Sequence, residues 1–597
     1  MLKRREFLRQ AVATGATAAL APFASPARAA AEKKLTAKPN IILVLTDDQG
    51  YGDVGFNGNK VIKTPNLDKF ARENVVFDRF YVDPVCTPTR AALMTGRQPY
   101  RLHITWVGQA LPVDEVTIAQ VLKQGGYATA CYGKWGNLGS YYPRRAIDKG
   151  FDEAVVHLKG QFSPPQNKTA YFDPILWKNG KEIQFKGYCN DIWFDQAEKF
   201  IEKNRTRPFF IYLPTNLPHL PAQVPQEYSK PYEGKLVHDQ AERAAGMITH
   251  IDRRFGRMMK KLDKLGLIDN TIVIFLSDNG PVWTRDQIHL AGLRGKKGWV
   301  YEGGIRVPCV MSWPVKWKGA RRLTDIAAHI DIMPTLLDAA GVEPKKNIAF
   351  DGISLTGLLE RGASVGDRTL IIQGYPHSKP QKNRCFMVTN RRYKLVQPIG
   401  YRKPDNKMYS PKPMDESLFR YELYDIAKDP GERNDIAAQN PEVVARMRKQ
   451  YDRWYEDVTK NPGLSRPAPL IHVGHARQRS VRIMMYGGKT VEIVHPGPYR
   501  ITLEPYGIVK WKRGDVWDGE PFVARDKGLA SFKIGDISMN KPVNEGDKVC
   551  VFERVVLSKG KANIRPSFVV GGKTVIGGRN AENKQQGPIH VTFERLD

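Results

Sequence analysis

Three stretches of this chain are apolar almost without interruption: "NIILVL" at 40–45, "PFFIYL" at 208–213 and "TIVIFL" at 271–276. A strand with one wet face alternates in polarity. A strand covered on both faces does not, and such runs belong to parallel sheets flanked by helices. The intervals between them carry helical patterns: "NLDKFAREN" at 66–74, "TIAQVLKQGG" at 117–126 with its terminal glycines, "WFDQAEKFIEKN" at 193–204, and a long helix over roughly 237–266. "YATACYG" and "RVPCVMSW" add strands, and "DIMPTLLDAAG" a further helix. The repeated strand–loop–helix order predicts an α/β domain over 38–365, with a mostly parallel central sheet flanked by helices.

A chain of 597 residues exceeds one ordinary core. Residues 366–460 are more broken, with short strands such as "YKLVQ" and "ELYDI" before the helical "PEVVARMRKQYDRWYEDV". They read as a smaller α+β subdomain. A Pro-rich break, "NPGLSRPAPL" at 461–470, precedes short strands with Gly and Pro turns, so 470–597 is expected to be an appended all-β domain.

The amino terminus reads as an address. "KRREFLRQ" pairs Arg4 and Arg5 ahead of Phe7–Leu8, an apolar segment follows, and "ARA" at 27–29 resembles a cleavage site. Residues 1–29 therefore form a twin-arginine-type signal peptide, which implies the Tat translocon as a partner and an exported, periplasmic or extracellular protein. No later run approaches about 18 apolar residues, so stable membrane insertion is not expected. The formal net charge is +30, with the basic residues scattered and no arm or zinc-finger spacing. That pattern disfavours a nucleic-acid reader and suits an anionic substrate.

Two of the buried strands deliver acids at their carboxyl ends: Asp47 and Asp48 after the first, Asp278 and Asn279 after the third. In an open parallel sheet that edge is where sites form. Either pair alone suits a turn or helix cap. Converging, three acids and an amide require a cation, and an all-oxygen set selects calcium or magnesium. Other strand ends bring Lys134, His219 and Lys297 to the same rim. A tetrahedral oxyanion fits such a layout.

"VCTPTRAALMTGR" at 85–97 supplies the reactive group. Cys86 precedes Pro88, Arg90 follows, and 91–95 read as helix; a helix start beside a guanidinium activates a thiol. The other five cysteines are spread without a CxxC pair and read as buried thiols.

Cys86-x-Pro88-x-Arg90 followed by "AALMTG" resembles the signature of the formylglycine-dependent (type I) sulfatases, arylsulfatase-like members of the alkaline phosphatase superfamily. "TDDQGYGD", "GYCNDIWFD", "SDNG", "KGWVYEGGIRVP", "DGISL" and "ELYDIAKDPGERND" resemble successive landmarks of the same family, in order, over roughly 38–440. The resemblance implies that a formylglycine-generating enzyme reads Cys86, Pro88 and Arg90 and oxidises Cys86 to Cα-formylglycine. One hydroxyl of the hydrated aldehyde then attacks sulfur, and the second expels sulfate. It further implies one calcium ion held by Asp47, Asp48, Asp278, Asn279 and residue 86. Arg90 would polarise the hydrate, Lys134 and Lys297 would neutralise sulfate oxygens, and His219 would protonate the leaving oxygen. The implied reaction is hydrolysis of a sulfate ester, on a sulfated carbohydrate.

The family commonly reads Gly-Lys-Trp-His-Leu-Gly where this chain has "GKWGNLG", so Gly136 and Asn137 stand in the place of a histidine. Asn137 can hydrogen-bond but cannot carry a proton at neutral pH, and His289 is a substitute by residue type. The tail resembles the β-rich extension of bacterial polysaccharide sulfatases, and its Tyr506, Trp511 and Trp517 suit either sugar stacking or packing. Two alternatives stand beside the sulfatase reading: a phosphonate or phosphodiester hydrolase of the same superfamily, and a catalytically weak glycan-binding homologue.

Overall fold

The computed structural model describes residues 38–596 except 108, 136–137, 140–142, 158–170, 283–289, 346, 375–380, 400–414, 461–470, 474–479, 486–488, 494, 506–527, 545–546, 548, 571–572 and 576–588. The signal segment, Gly136, Asn137, His289, Tyr506, Trp511 and Trp517 therefore lie outside the described residues.

A ten-stranded sheet forms the centre, in the order Arg321–Leu323, Val75–Phe77, Cys309–Ser312, Thr271–Ser277, Asn40–Thr46, Phe209–Pro214, Ala128–Gly133, Glu153–Val156, Ile175–Lys178, Lys181–Gln184. The five strands from Thr271–Ser277 to Glu153–Val156 are mutually parallel. Cys309–Ser312, from "RVPCVMSW", runs antiparallel beside them.

The apolar runs fail to alternate because each feeds two cores. Ile41, Leu43, Leu45, Phe210, Tyr212, Ile272, Ile274 and Leu276 enter one cluster, with the helices Cys86–Thr95, Ile118–Gln124 and Ile332–Ala340. Ile42, Val44, Phe209, Ile211, Leu213, Val273 and Phe275 enter the other, with Pro65–Glu73, Cys189–Lys203 and Asp239–Lys264. All fifteen of these strand residues are fully buried. At about 1.5–3 kcal/mol for each such side chain, this double burial fixes the register of the site-bearing strands.

A four-stranded antiparallel sheet follows, Leu370–Gln373, Phe386–Thr389, Tyr393–Gln397 and Glu422–Asp425. One face takes the helix Pro441–Thr459, where Phe386 and Tyr451 stack at 3.7 Å. Its other face packs on Tyr81, Ala92, Val300 and Ile305 of the preceding domain. At that joint Lys394 donates to Glu302 Oε1 at 2.8 Å and lies 2.8 Å from Glu432 Oε1, with all three residues buried. Phe80–Tyr81 and Ala327–Ala328 make a short parallel pair, and the strands within Ile471–Arg595 form two further sheets. These face each other across one core, in which Phe532 meets Phe552 and Phe593.

Candidate active site

The sheet's carboxyl edge gathers all nine residues singled out from the sequence. Asp47 and Asp48 follow Asn40–Thr46, and Asp278 and Asn279 follow the adjacent parallel strand. Asp48 adopts φ 69°, a left-handed conformation uncommon for a non-glycine residue. Its N–H then donates to Asp278 Oδ1 at 3.1 Å, while its Oδ1 accepts from Asn279 Nδ2 at 2.8 Å and Lys297 Nζ at 2.5 Å. Lys134 arrives from the other side and donates to Asp47 Oδ2 at 2.6 Å. Its approach depends on Gly133, at φ +130°, where a Cβ would stand 2.0 Å from the Pro214 carbonyl oxygen. Lys134 N–H donates to that oxygen at 2.6 Å.

Cys86 is the first residue of its helix, which begins five residues earlier than the 91–95 reading; Pro88 lies in the first turn, where its missing N–H costs nothing. The thiol is buried, and one ligand atom each from Cys86, Asp47 and Asp278 lie within 4.8 Å of one another. Cysteines 131, 189, 309 and 385 are buried too, and burial pushes their thiols up, Cys385 to about 12. One turn on, fully buried Arg90 donates from Nε (2.9 Å) and Nη2 (2.7 Å) to Asp278 Oδ2 and from Nη1 (2.9 Å) to the Lys134 carbonyl. It is a clamp on Asp278 as well as a neighbour of residue 86.

His219 Nδ1 lies 2.6 Å from the Leu220 carbonyl, which assigns Nδ1 the proton and turns Nε2 toward Asp48 Oδ2 at 3.5 Å. The Lys297 loop is stitched to both neighbours, Lys297 N–H to Pro281 O and Gly298 N–H to Pro84 O.

The charges balance one another. Burial pushes Asp47 and Asp48 upward, but Lys134, His219 and Arg90 hold Asp47 below its usual range, and Lys297 and His219 do the same for Asp48. Asp278 goes the other way, raised by burial and by Asp47 against the pull of Arg90. Burial alone would lower Lys134 and Lys297, yet the facing carboxylates raise both. Burial depresses His219. The mutual repulsion anticipated among the acids is thus relieved first by the chain's own cations. Asp47, Asp48 and Asp278 carry three negative charges against three positive charges on Arg90, Lys134 and Lys297.

The residues fit a hard cation. Asp48 Oδ2 and Asn279 Oδ1 are buried and accept no hydrogen bond among the described residues. The Asn279 amide spends its N–H groups on Asp48 Oδ1 and the Gly280 carbonyl, leaving its oxygen as the spare donor atom. Buried oxygens lacking partners are costly unless a ligand takes them, and oxygen-only sets suit calcium or magnesium.

Sequence reasoning missed the supports. His329, fully buried, lies 2.6 Å from Asp83 Oδ2, and Asp83 O accepts from Thr89 Oγ1 at 3.3 Å, bracing the approach to Cys86. Tyr171 donates to the His219 carbonyl at 2.6 Å. Thr89 sits inside the Cys86 motif, but nothing local in sequence points to His329 or Tyr171.

The model of the sulfatase family matches residues 39–342, and the model described as N-sulphoglucosamine sulphohydrolase, C-terminal, matches 295–457. Arylsulfatase A of Homo sapiens is 31% identical over 461 residues, 69% of this chain and 86% of its own. N-acetylgalactosamine-6-sulfatase of Homo sapiens is 32% identical over 361 residues, 54% of this chain and 66% of its own. Among solved structures, Ps i-CgsB in complex with k-i-k-neocarrahexaose superposes with a TM-score of 0.62 at 28% identity, covering 71% of this chain and 94% of that one. With a buried thiol, a paired acid rim and two facing lysines on an alkaline phosphatase-like sheet, the chain belongs to the sulfatase family and is a sulfuric ester hydrolase.

Proposed function

We propose that the chain is an exported calcium sulfatase acting on a sulfated carbohydrate, with residue 86 matured to formylglycine. The observation that carries this reading is the enclosure of Cys86 by carboxylates and cations at a single rim. A formylglycine would supply a hydrated aldehyde with one hydroxyl to attack sulfur and one to expel sulfate, and calcium would add two positive charges. Asp47, Asp48, Asp278, Asn279 and residue 86 would hold the ion. The six balanced side chains then leave a net +2 for a sulfate monoester, an excess that orients the anion. Arg90, fixed by Asp278, keeps its guanidinium beside residue 86. Lys134 and Lys297 exchange part of their pairing with Asp47 and Asp48 for sulfate oxygens. His219, oriented through Nδ1, presents Nε2 to the departing alkoxide, and its doubly protonated ring, favoured by the facing Asp48, would give up the Nε2 proton there.

The carbohydrate reading draws support from the basic charge and from the names of similar proteins, an N-acetylgalactosamine-6-sulfatase and a sulfatase-fold neighbour bound to a neocarrahexaose. Export, through the Tat translocon to the periplasm or beyond, rests on the Arg4–Arg5 segment, and the described residues contain no helix long and apolar enough to cross a membrane.

Mass spectrometry of the tryptic peptide containing residue 86, from a host with a formylglycine-generating enzyme, tests the maturation: conversion lowers its mass by about 18 Da. The converted protein should release sulfate from a sulfated oligosaccharide and lose activity on chelation. An unmodified thiol in a converting host refutes the reading in favour of a glycan-binding role. Preferential cleavage of a phosphodiester refutes it in favour of the sister activity.

A further inference from the structure

The segment 214–221 carries His219, and its shape is imposed from the first turn of the helix Cys189–Lys203. Thr215 is the hub. Its hydroxyl donates to Asn190 Oδ1 at 2.8 Å and accepts from the Leu217 N–H at 3.2 Å. The Leu217 carbonyl accepts in turn from the N–H of Asp47 at 2.8 Å. Behind Thr215, the Asn190 Nδ2 amide lies 3.0 Å from Nδ1 of His250, on the helix Asp239–Lys264. Because an amide N–H₂ can only donate, that contact leaves Nδ1 of His250 as acceptor and puts its proton on Nε2, 3.4 Å from Asp191 Oδ1. Asn190 and Thr215 are fully buried, and the His250 ring is wedged between Tyr188 and Tyr228 at 4.9 and 4.6 Å.

The next residue is held from the same turn. Asn216 Oδ1 accepts from Trp193 Nε1 at 3.0 Å and Cys189 Sγ at 3.4 Å, and the Asn216 carbonyl accepts from the His219 N–H at 3.3 Å. Cys189, Asn190 and Trp193 of "GYCNDIWFD" thus bond this loop, while Asp191 and Asp195 pair with Arg254 on the helix Asp239–Lys264. A buried polar network is a costly way to fill a core, and what it supplies is a unique geometry.

We propose that Thr215 and Asn190, backed by His250, are positioning residues that place His219 for proton delivery to the leaving oxygen. The inference rests on His219 being that donor. General acid catalysis contributes on the order of 10²–10⁴-fold, and a misplacement of about 1 Å forfeits much of it. The network therefore matters most where the leaving group most needs a proton.

The test is a series of aryl sulfates whose phenols rise in pKa, assayed with Thr215→Val, Thr215→Ser, Asn190→Ala and His219→Ala, all converted at residue 86 to the same extent by mass spectrometry. Valine keeps the shape of Thr215 and removes the hydroxyl; serine keeps the hydroxyl. His219→Ala should lose little on the best leaving group and about 10²-fold or more on the poorest, steepening the dependence of log kcat on leaving-group pKa. Thr215→Val and Asn190→Ala should steepen it in the same sense, by about 10-fold across the series with KM little changed. Their effects should not add in the double variant, and Thr215→Ser should track the wild type. A steepened His219→Ala line beside unchanged slopes for Thr215→Val and Asn190→Ala overturns the positioning role and leaves the donor intact. An unchanged slope for His219→Ala overturns the donor assignment itself, and the positioning role with it.

Discussion

Replacing Arg90 by lysine isolates what the planar guanidinium contributes beyond charge. The wild-type side chain has no exposed surface and satisfies two acceptors in different directions, Asp278 Oδ2 through Nε and Nη2 and the Lys134 carbonyl through Nη1. A lysine ammonium is a shorter-reaching single point and can serve one of them. Charge is conserved, so Asp278 keeps a cation in reach, and the expected loss is one or two charge-assisted hydrogen bonds, about 2–4 kcal/mol in all. Arg90→Ala removes the charge as well. Stranding buried Asp278 then costs about 3–5 kcal/mol, to which the cavity adds. Because Arg90 also belongs to the segment that the proposed maturation would read, activity confuses two effects and stability separates them. Urea unfolding followed by tryptophan fluorescence, on samples matched for the state of residue 86, should show Arg90→Lys falling by roughly 1 M in midpoint and Arg90→Ala by more. If Arg90→Lys unfolds at the wild-type midpoint, or Arg90→Ala is no worse than Arg90→Lys, the clamp on Asp278 is not what this residue contributes.

Lys297→Ala leaves Asp48 without its lysine partner and should lower kcat on an aryl sulfate by at least about 10²-fold, read by steady-state kinetics at saturating substrate. Calcium added to chelated protein should raise the melting temperature by a linkage approaching about 2.7 kcal/mol at a hundredfold excess over Kd, and Asp48→Ala should abolish the shift, as followed by calorimetry. Burial, aided by Lys134, pushes the imidazole of His157 down to about 4, from 6.5. The unfolded chain therefore takes up a proton below pH 6.5 that the native state refuses until about pH 4, so stability falls as pH drops through that window and levels off beneath it. The effect reaches about 3 kcal/mol, and His157→Gln should flatten the urea midpoint between pH 6.5 and 4.

How much of this was legible in sequence follows from what is local. Asn40–Thr46 and Thr271–Ser277 announce themselves because both faces are covered, and the acids lie at their ends by chain continuity alone. Lys134 follows the same logic, since Gly133 must precede it for the strands to close. The helix of Cys86 was legible only in its later half: a cysteine, two threonines and a proline carry little helical signal, and tertiary burial on every side supplies the rest. Arg90 was legible as a neighbour of residue 86 but not as the partner of Asp278, 188 residues away. Thr215, Asn190 and His250 were invisible for the same reason, as three polar residues on three elements that acquire meaning only when the loop closes over the rim. The run at 306–313 gave a strand but not its direction, because an antiparallel strand in a covered sheet is as apolar as a parallel one.

The buried meeting of Lys394 with Glu302 and Glu432 has a consequence for how this molecule can be cut or recombined. Residue 365 looks like a natural seam, since a regular α/β pattern ends there and a short antiparallel sheet begins. A chain severed at that point would keep Glu302 sealed beside Arg306 while surrendering its lysine, and the detached piece would keep Lys394 and Glu432 without a roof. Neither fragment is a module. A piece that keeps the joint whole must run from about residue 39 to the end of the helix Pro441–Thr459, and homologous exchange within it should succeed only when both sides of that ionic joint travel together.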